Sequence, residues 1–129
     1  MARVDHIGIA VRNGEEAVRL YQLLGFRLTG KEYVEDQELW AYFLEGDDGS
    51  RIELLEPTGG VIAKFIEKRG EGIHHIAVEV DDIKGLSEKL KELGFKLVYE
   101  EPRRGAEDTL VNFVHPKSAH GVLIEILEK

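Results

Sequence analysis

The 129-residue chain predicts an α+β fold: two tandem βαβββ modules forming one cupped mixed sheet. Three observations carry that reading. The run Asp5-His6-Ile7-Gly8-Ile9-Ala10-Val11 returns as His74-His75-Ile76-Ala77-Val78-Glu79-Val80, so one histidine-led strand is written twice. An amphipathic helix follows each copy and stops at a Gly-Phe pair, and three extended runs follow each helix. His6 and His75 stand 69 residues apart, as do Gly25 and Gly94, so strand and helix repeat in a single register. Two copies are too few for a solenoid and favour a paired, pseudo-symmetric domain.

The elements follow in order. Asn13 offers an N-cap side chain with Glu16 three residues on, and Ala17, Leu20, Tyr21 and Leu24 recur at helical spacing until Gly25, which suits the left-handed position that ends a helix. In the second copy Asp82 caps, Ile83, Leu86, Leu90 and Leu93 form the stripe, and Gly94 stops it. Extended runs are predicted at 26–34, 38–46 and 50–56, then at 95–101, 109–115 and 121–128. Thr58 to Gly72, with Ile62, Phe65 and Ile66 at helical spacing, reads as a linker with a short helix. The organisation is a single domain over 1–129: module one 1–57, linker 58–72, module two 73–129.

Side-chain parity shows where chemistry belongs. Successive side chains on a strand face opposite ways. Ile7, Ile9 and Val11 therefore share the face that packs under the helix, while His6, Gly8 and Ala10 share the other. Ile76, Val78 and Val80 stand likewise opposite His75, Ala77 and Glu79. A small residue beside each histidine leaves a hollow. The later runs Arg51-Ile52-Glu53-Leu54-Leu55 and Leu123-Ile124-Glu125-Ile126-Leu127 each carry one glutamate away from the apolar face. His6, Glu53, His75 and Glu125 are thus four candidate ligands for a six-coordinate divalent metal ion such as cobalt, manganese, nickel or zinc, with two positions left for water or substrate. Register with Asp5-His6 selects His75 as the ligand over its neighbour His74. His115, His120 and Trp40 are expected in structural, surface or packing roles.

Composition narrows the rest. The chain has no cysteine, which excludes disulfides, thiolate metal sites and thiol nucleophiles. Its 25 acidic and 17 basic residues, for a net charge of −8, argue against nucleic acid or anionic membrane as a partner. Asp5 and His6 interrupt any apolar leader, and no run approaches the roughly 20 apolar residues that span a bilayer, so a soluble cytoplasmic protein is expected. The charged fraction of 33%, with no Cys and one Met, has the flavour of a thermophile protein.

These residues resemble the vicinal oxygen chelate, or glyoxalase, superfamily of paired βαβββ modules. The resemblance covers almost the whole chain, through the two histidine strands, Ile52-Glu53-Leu54-Leu55-Glu56-Pro57, the segment Ile62 to Gly70, and Gly72-Ile73-His74-His75-Ile76-Ala77. The closing run Asn112-Phe113-Val114-His115-Pro116-Lys117-Ser118, followed by Gly121-Val122-Leu123-Ile124-Glu125, is similar to the methylmalonyl-CoA epimerase family within it. The resemblance implies ligands at His6, His75 and Glu125, with Glu53 as the fourth. It implies a metal-dependent isomerase that interconverts (R)- and (S)-methylmalonyl-CoA by α-proton abstraction through a metal-stabilised enolate, with Glu125 and Glu53 as catalytic carboxylates. Cobalt is the ion expected, an acyl-CoA the substrate, and a homodimer the assembly, through Trp40 and Tyr42.

Lys117 and Ser118 are the candidate substrate contacts, with Lys64, Arg103 and Arg104 behind them. The sequence departs from the pattern at one point. Where some relatives have a glutamate proposed as second base, this chain has Ala41, with Glu38 a few residues off, and the turn 103–108 is more acidic than the usual glycine-rich form. Three alternatives compete: a glyoxalase I-like lactoylglutathione lyase, an extradiol-type dioxygenase using two His and one carboxylate on iron(II), and a metal-free small-molecule binding protein of the same fold.

Overall fold

The computed structural model describes residues 2–105 and 108–129, so Ala106 and Glu107 of the acidic turn lie outside the described residues. The elements run β1 (Arg3–Ala10), α1 (Gly14–Leu23), β2 (Arg27–Val34), β3 (Leu39–Glu45), β4 (Arg51–Pro57), α2 (Gly60–Arg69), β5 (Gly72–Glu79), α3 (Ile83–Glu92), β6 (Arg103–Arg104), β7 (Leu110–Val114) and β8 (Leu123–Glu128). They divide into two compact units: His6–His74, and His75–Lys129 with the chain up to Asp5. No helix among the described residues is long and apolar enough to cross a membrane.

In the first unit the strand order is β2-β3-β4-β1, antiparallel except for the parallel β1-β4 pair. Asn13 caps α1 as expected, its side chain accepting the Glu16 N–H at 3.0 Å, and Gly25 takes φ 108° just beyond the helix. Val18 of α1 packs with Val11, Tyr42, Leu44 and Leu54, and Ile9 and Ile52 lie beside them, which is the parity predicted for β1. Tyr42 packs so tightly that a Cβ added at Gly14 would clash with its ring. Its hydroxyl donates to Glu56 Oε1 at 2.8 Å, and burial beside that carboxylate raises its pKa to about 12.

The opposite face of this sheet is partly covered by a helix. The linker folds into the ten-residue helix α2, whose Ile62 and Ile66 cover Ala10, Leu39, Ala41 and Leu55. His6, Gly8 and Glu53 lie further along the same face. Burying these apolar residues on both faces stabilises the unit by roughly 1.5–3 kcal/mol per large aliphatic side chain.

In the second unit the strand order is β5-β8-β7-β6, with β5 and β8 parallel. Asp82 caps α3 through the Gly85 N–H at 3.0 Å, and Glu128 Oε1 accepts the Ile83 N–H at 2.9 Å. The structure departs from the predicted strand over 95–101. That segment makes a single bridge, Leu97 to Val114, and the paired strand is the two-residue β6 further on. Asn112 explains the difference. Fully buried in β7, it donates Nδ2–H to the Tyr99 carbonyl and accepts the Tyr99 N–H, both at 3.1 Å. A side-chain amide thus replaces the ladder that backbone pairing would have supplied.

Candidate functional site

Each unit holds one histidine-glutamate pair on a strand face. In the first, the parallel register sets Gly8 beside Glu53 and Ile7 beside Ile52. His6, two residues before Gly8, shares the face of Glu53, and its Nε2 lies 3.1 Å from Glu53 Oε2. The side chains are only 10% and 18% exposed. In the second, Ala77 stands beside Glu125 and His75 beside Leu123. His75 Nε2 lies 3.7 Å from Glu125 Oε1, with side chains 12% and 16% exposed. The flanking strands repeat as well, since Phe43 faces Glu53 and Phe113 faces Glu125 across their antiparallel ladders.

Each pair offers one imidazole nitrogen and one carboxylate oxygen, both largely withdrawn from water. That donor set suits a divalent first-row ion. His74 lies elsewhere: its ring meets Phe65 of α2 edge-on at 5.0 Å, and burial lowers its pKa.

The other predicted residues are positioned by local structure. Pro116–Ser118 form a 3-10 turn in which His115 Nδ1 accepts the Lys117 N–H at 3.1 Å. Ser118 Oγ accepts the Lys96 N–H at 2.9 Å, so this hydroxyl also has a structural task, while the Lys117 side chain stands on an exposed residue. Arg103 lies over the Tyr99 ring at 4.0 Å, and Arg104 pairs with Asp108 at 2.8 Å. Ala41 is 2% exposed under α2. Glu38, at φ 54°, sets its carboxylate against Gly59 and Gly60 at the start of α2, where the helix dipole favours it.

The expectation that Tyr42 faces a partner subunit is corrected, because it is 3% exposed and its hydroxyl is bonded to Glu56. Trp40 does reach the surface, 36% exposed, against Tyr33 at 5.1 Å with Lys31 over its ring at 4.6 Å. Arg51 stands two residues before Glu53 on the same face of β4.

Comparison with known proteins agrees with this architecture. Residues 5–113 match the model of the Glyoxalase/Bleomycin resistance protein/Dioxygenase superfamily. The Cereibacter sphaeroides ethylmalonyl-CoA/methylmalonyl-CoA epimerase is 37% identical over 98% of this chain and 97% of its own. The crystal structure of methylmalonyl-CoA epimerase from Mycobacterium tuberculosis superposes with a TM-score of 0.86 at 40% identity, covering 97% of this chain and 86% of that one. A variant of the Streptomyces coelicolor methylmalonyl-CoA epimerase, solved with 2-nitronate-propionyl-CoA, gives 0.84 at 36% identity over 98% and 96%. The chain therefore belongs to the glyoxalase superfamily and, within it, to the methylmalonyl-CoA epimerase family.

Proposed function

We propose that this protein interconverts (R)- and (S)-methylmalonyl-CoA, with one divalent metal ion held by His6, Glu53, His75 and Glu125. The duplicated histidine-glutamate contact, at 3.1 Å in one unit and 3.7 Å in the other, is the observation that carries this reading. Full-length similarity to enzymes of that name supports the substrate. Cobalt is the ion we favour.

The proton to be moved sits on a carbon between a thioester and a carboxylate, and its carbanion is too basic for a bare carboxylate to form quickly at neutral pH. The metal, when bound, supplies Lewis acidity that stabilises negative charge developing on the substrate oxygens. Epimerisation then needs a base on each face of the planar enolate, one to remove the proton and the conjugate acid of the other to return it. Glu125 is assigned as ligand and base together, and Glu53 as ligand and opposing base. Ala41 can do neither, and it lies buried against α2.

Lys117 is assigned to the anionic coenzyme A moiety, whose phosphates the chain's net charge of −8 would otherwise repel, and Ser118 holds the turn that presents it. A homodimer through the Trp40 surface completes the proposal. The test incubates (S)-methylmalonyl-CoA with purified protein and follows the R epimer, beside the hemithioacetal of glutathione. Epimer formation without lyase activity supports the assignment, and the reverse contradicts it.

A further inference from the structure

On the face of the second unit that carries Glu125, two ladder steps lead outward to a cation. Phe113 of β7 faces Glu125 of β8, and Val111, two residues before Phe113 on the same face, is itself faced by Arg103 of the edge strand β6. Val111 and Phe113 are half-buried. The first unit repeats this path with a different end: Phe43 faces Glu53, Ala41 stands two residues before Phe43, and Glu32 faces Ala41. There Ala41 is buried with Ile62 and Ile66 of α2. The path thus lies under a helix in one unit and ends on an arginine in the other.

The arginine is backed by a ring. Its guanidinium lies 4.0 Å from the centroid of Tyr99, whose ring meets Phe113 edge-on at 5.9 Å. The Asn112 amide pins the Tyr99 backbone, and Lys91 ties down the next residue, its Nζ donating to the Glu100 carbonyl at 2.6 Å. Arg103 lines a cleft of about 480 Å³ with Lys91, Glu100, Glu101 and Pro102, and no carboxylate among the described residues pairs with it.

We propose that this cleft receives the adenine ring of the acyl-CoA, stacked on the outer side of the Arg103 guanidinium with its exocyclic amine toward Glu100 and Glu101. This rests on the function proposed above. A guanidinium backed by an aromatic ring is a flat cationic plate, the kind of surface on which a purine stacks. The lining fits a base better than a phosphate. Two carboxylates line the cleft beside two cations, and Lys91 is already taken by the Glu100 carbonyl and by Glu88 at 3.4 Å. Those carboxylates accept from an amine and repel a phosphate, so the phosphates stay with Lys117. β6 lies two strand spacings, roughly 10 Å, from β8, a span that an extended pantetheine arm bridges along Phe113 and Val111.

The experiment compares Arg103→Ala and Arg103→Lys with the unchanged, metal-loaded protein, using methylmalonyl-CoA and methylmalonyl-pantetheine, which lacks the nucleotide. Both variants are expected to raise KM for methylmalonyl-CoA about tenfold, the scale of one base stacked on one side chain, with kcat within about twofold. KM for methylmalonyl-pantetheine should move by less than about twofold. Arg103→Lys keeps the charge and loses the plate, so a KM for methylmalonyl-CoA equal to the parent's in that variant would assign the position to a phosphate and overturn the proposal. Equal weakening of both substrates, or of neither, would overturn it too. Should Arg103→Ala fail to fold, the same comparison in Arg103→Lys decides. Should the unchanged protein fail to epimerise, the function above falls, and calorimetry with coenzyme A and with pantetheine reads the cleft instead. Tighter binding of coenzyme A that Arg103→Lys weakens about tenfold then supports an adenine site. Binding no tighter than that of pantetheine, or unchanged in Arg103→Lys, overturns it.

Discussion

His6 Nε2 lies 3.1 Å from Glu53 Oε2, with both groups largely withdrawn from water. The contact brings an imidazole nitrogen and a carboxylate oxygen within reach of one cation, and a metal ion would take both in their unprotonated forms. Metal binding should therefore release a proton, and affinity should fall as pH falls. Glu53→Gln keeps the shape but removes the charge, and is expected to lower metal affinity roughly tenfold or more, the scale on which even outer partners act. Calorimetry in buffers of different ionisation enthalpy reads both effects.

Tyr42 couples stability to alkaline pH. Below pH 10 it is neutral in folded and unfolded chains alike, because its ordinary pKa is 10.0. Between pH 10 and about 12 the unfolded chain has lost the proton that the folded chain keeps, so stability falls with rising pH across that window. The loss from this one group is roughly 2–3 kcal/mol. Tyr42→Phe should cost about 1 kcal/mol at neutral pH and flatten this part of the profile, as urea titrations at pH 8 and pH 11 would register.

Asn112 substitutes for a strand ladder, and its loss should be felt accordingly. Asn112→Leu strands the Tyr99 N–H and carbonyl, at about 1–3 kcal/mol for each group left unsatisfied. We expect a total loss of about 2–4 kcal/mol, while metal content of the folded protein is unchanged. A variant as stable as the parent would mean that water serves Tyr99 equally well.

The parts of the fold that sequence made legible are those set by period and repetition. Asn13, Asp82, Gly25 and Gly94 bound their helices where capping chemistry requires, and parity assigned His6, Glu53, His75 and Glu125 to their faces. Over 95–101 the residues are extended enough to suggest a strand, but the partner that decides the outcome, Asn112, lies 13 residues beyond Tyr99. The cover that α2 lays on Ala10 and Ala41 was illegible for the same reason, since a linker's docking face depends on tertiary contacts. Strand position alone does not distinguish an interface aromatic from a core one, and for Tyr42 the buried bond to Glu56 decides.

Lys117 offers a kinetic separation of binding from chemistry. If it meets only the coenzyme A moiety, Lys117→Ala should raise KM severalfold and leave kcat within about twofold. Steady-state assays at several salt concentrations should also show a weaker salt dependence in the variant. A tenfold fall in kcat alone would contradict the assignment.

The central claim is that paired glutamates move an α-proton with the help of a metal ion, and deuterium uptake tests it most directly. Methylmalonyl-CoA in heavy water is incubated with the chelated protein, the protein restored with cobalt(II), and restored Glu125→Ala, and label at the α-carbon is read by mass spectrometry. The account predicts uptake that is lost on chelation, returns with cobalt(II), and falls sharply in Glu125→Ala. Undiminished uptake by the metal-free protein, or by Glu125→Ala, would contradict it.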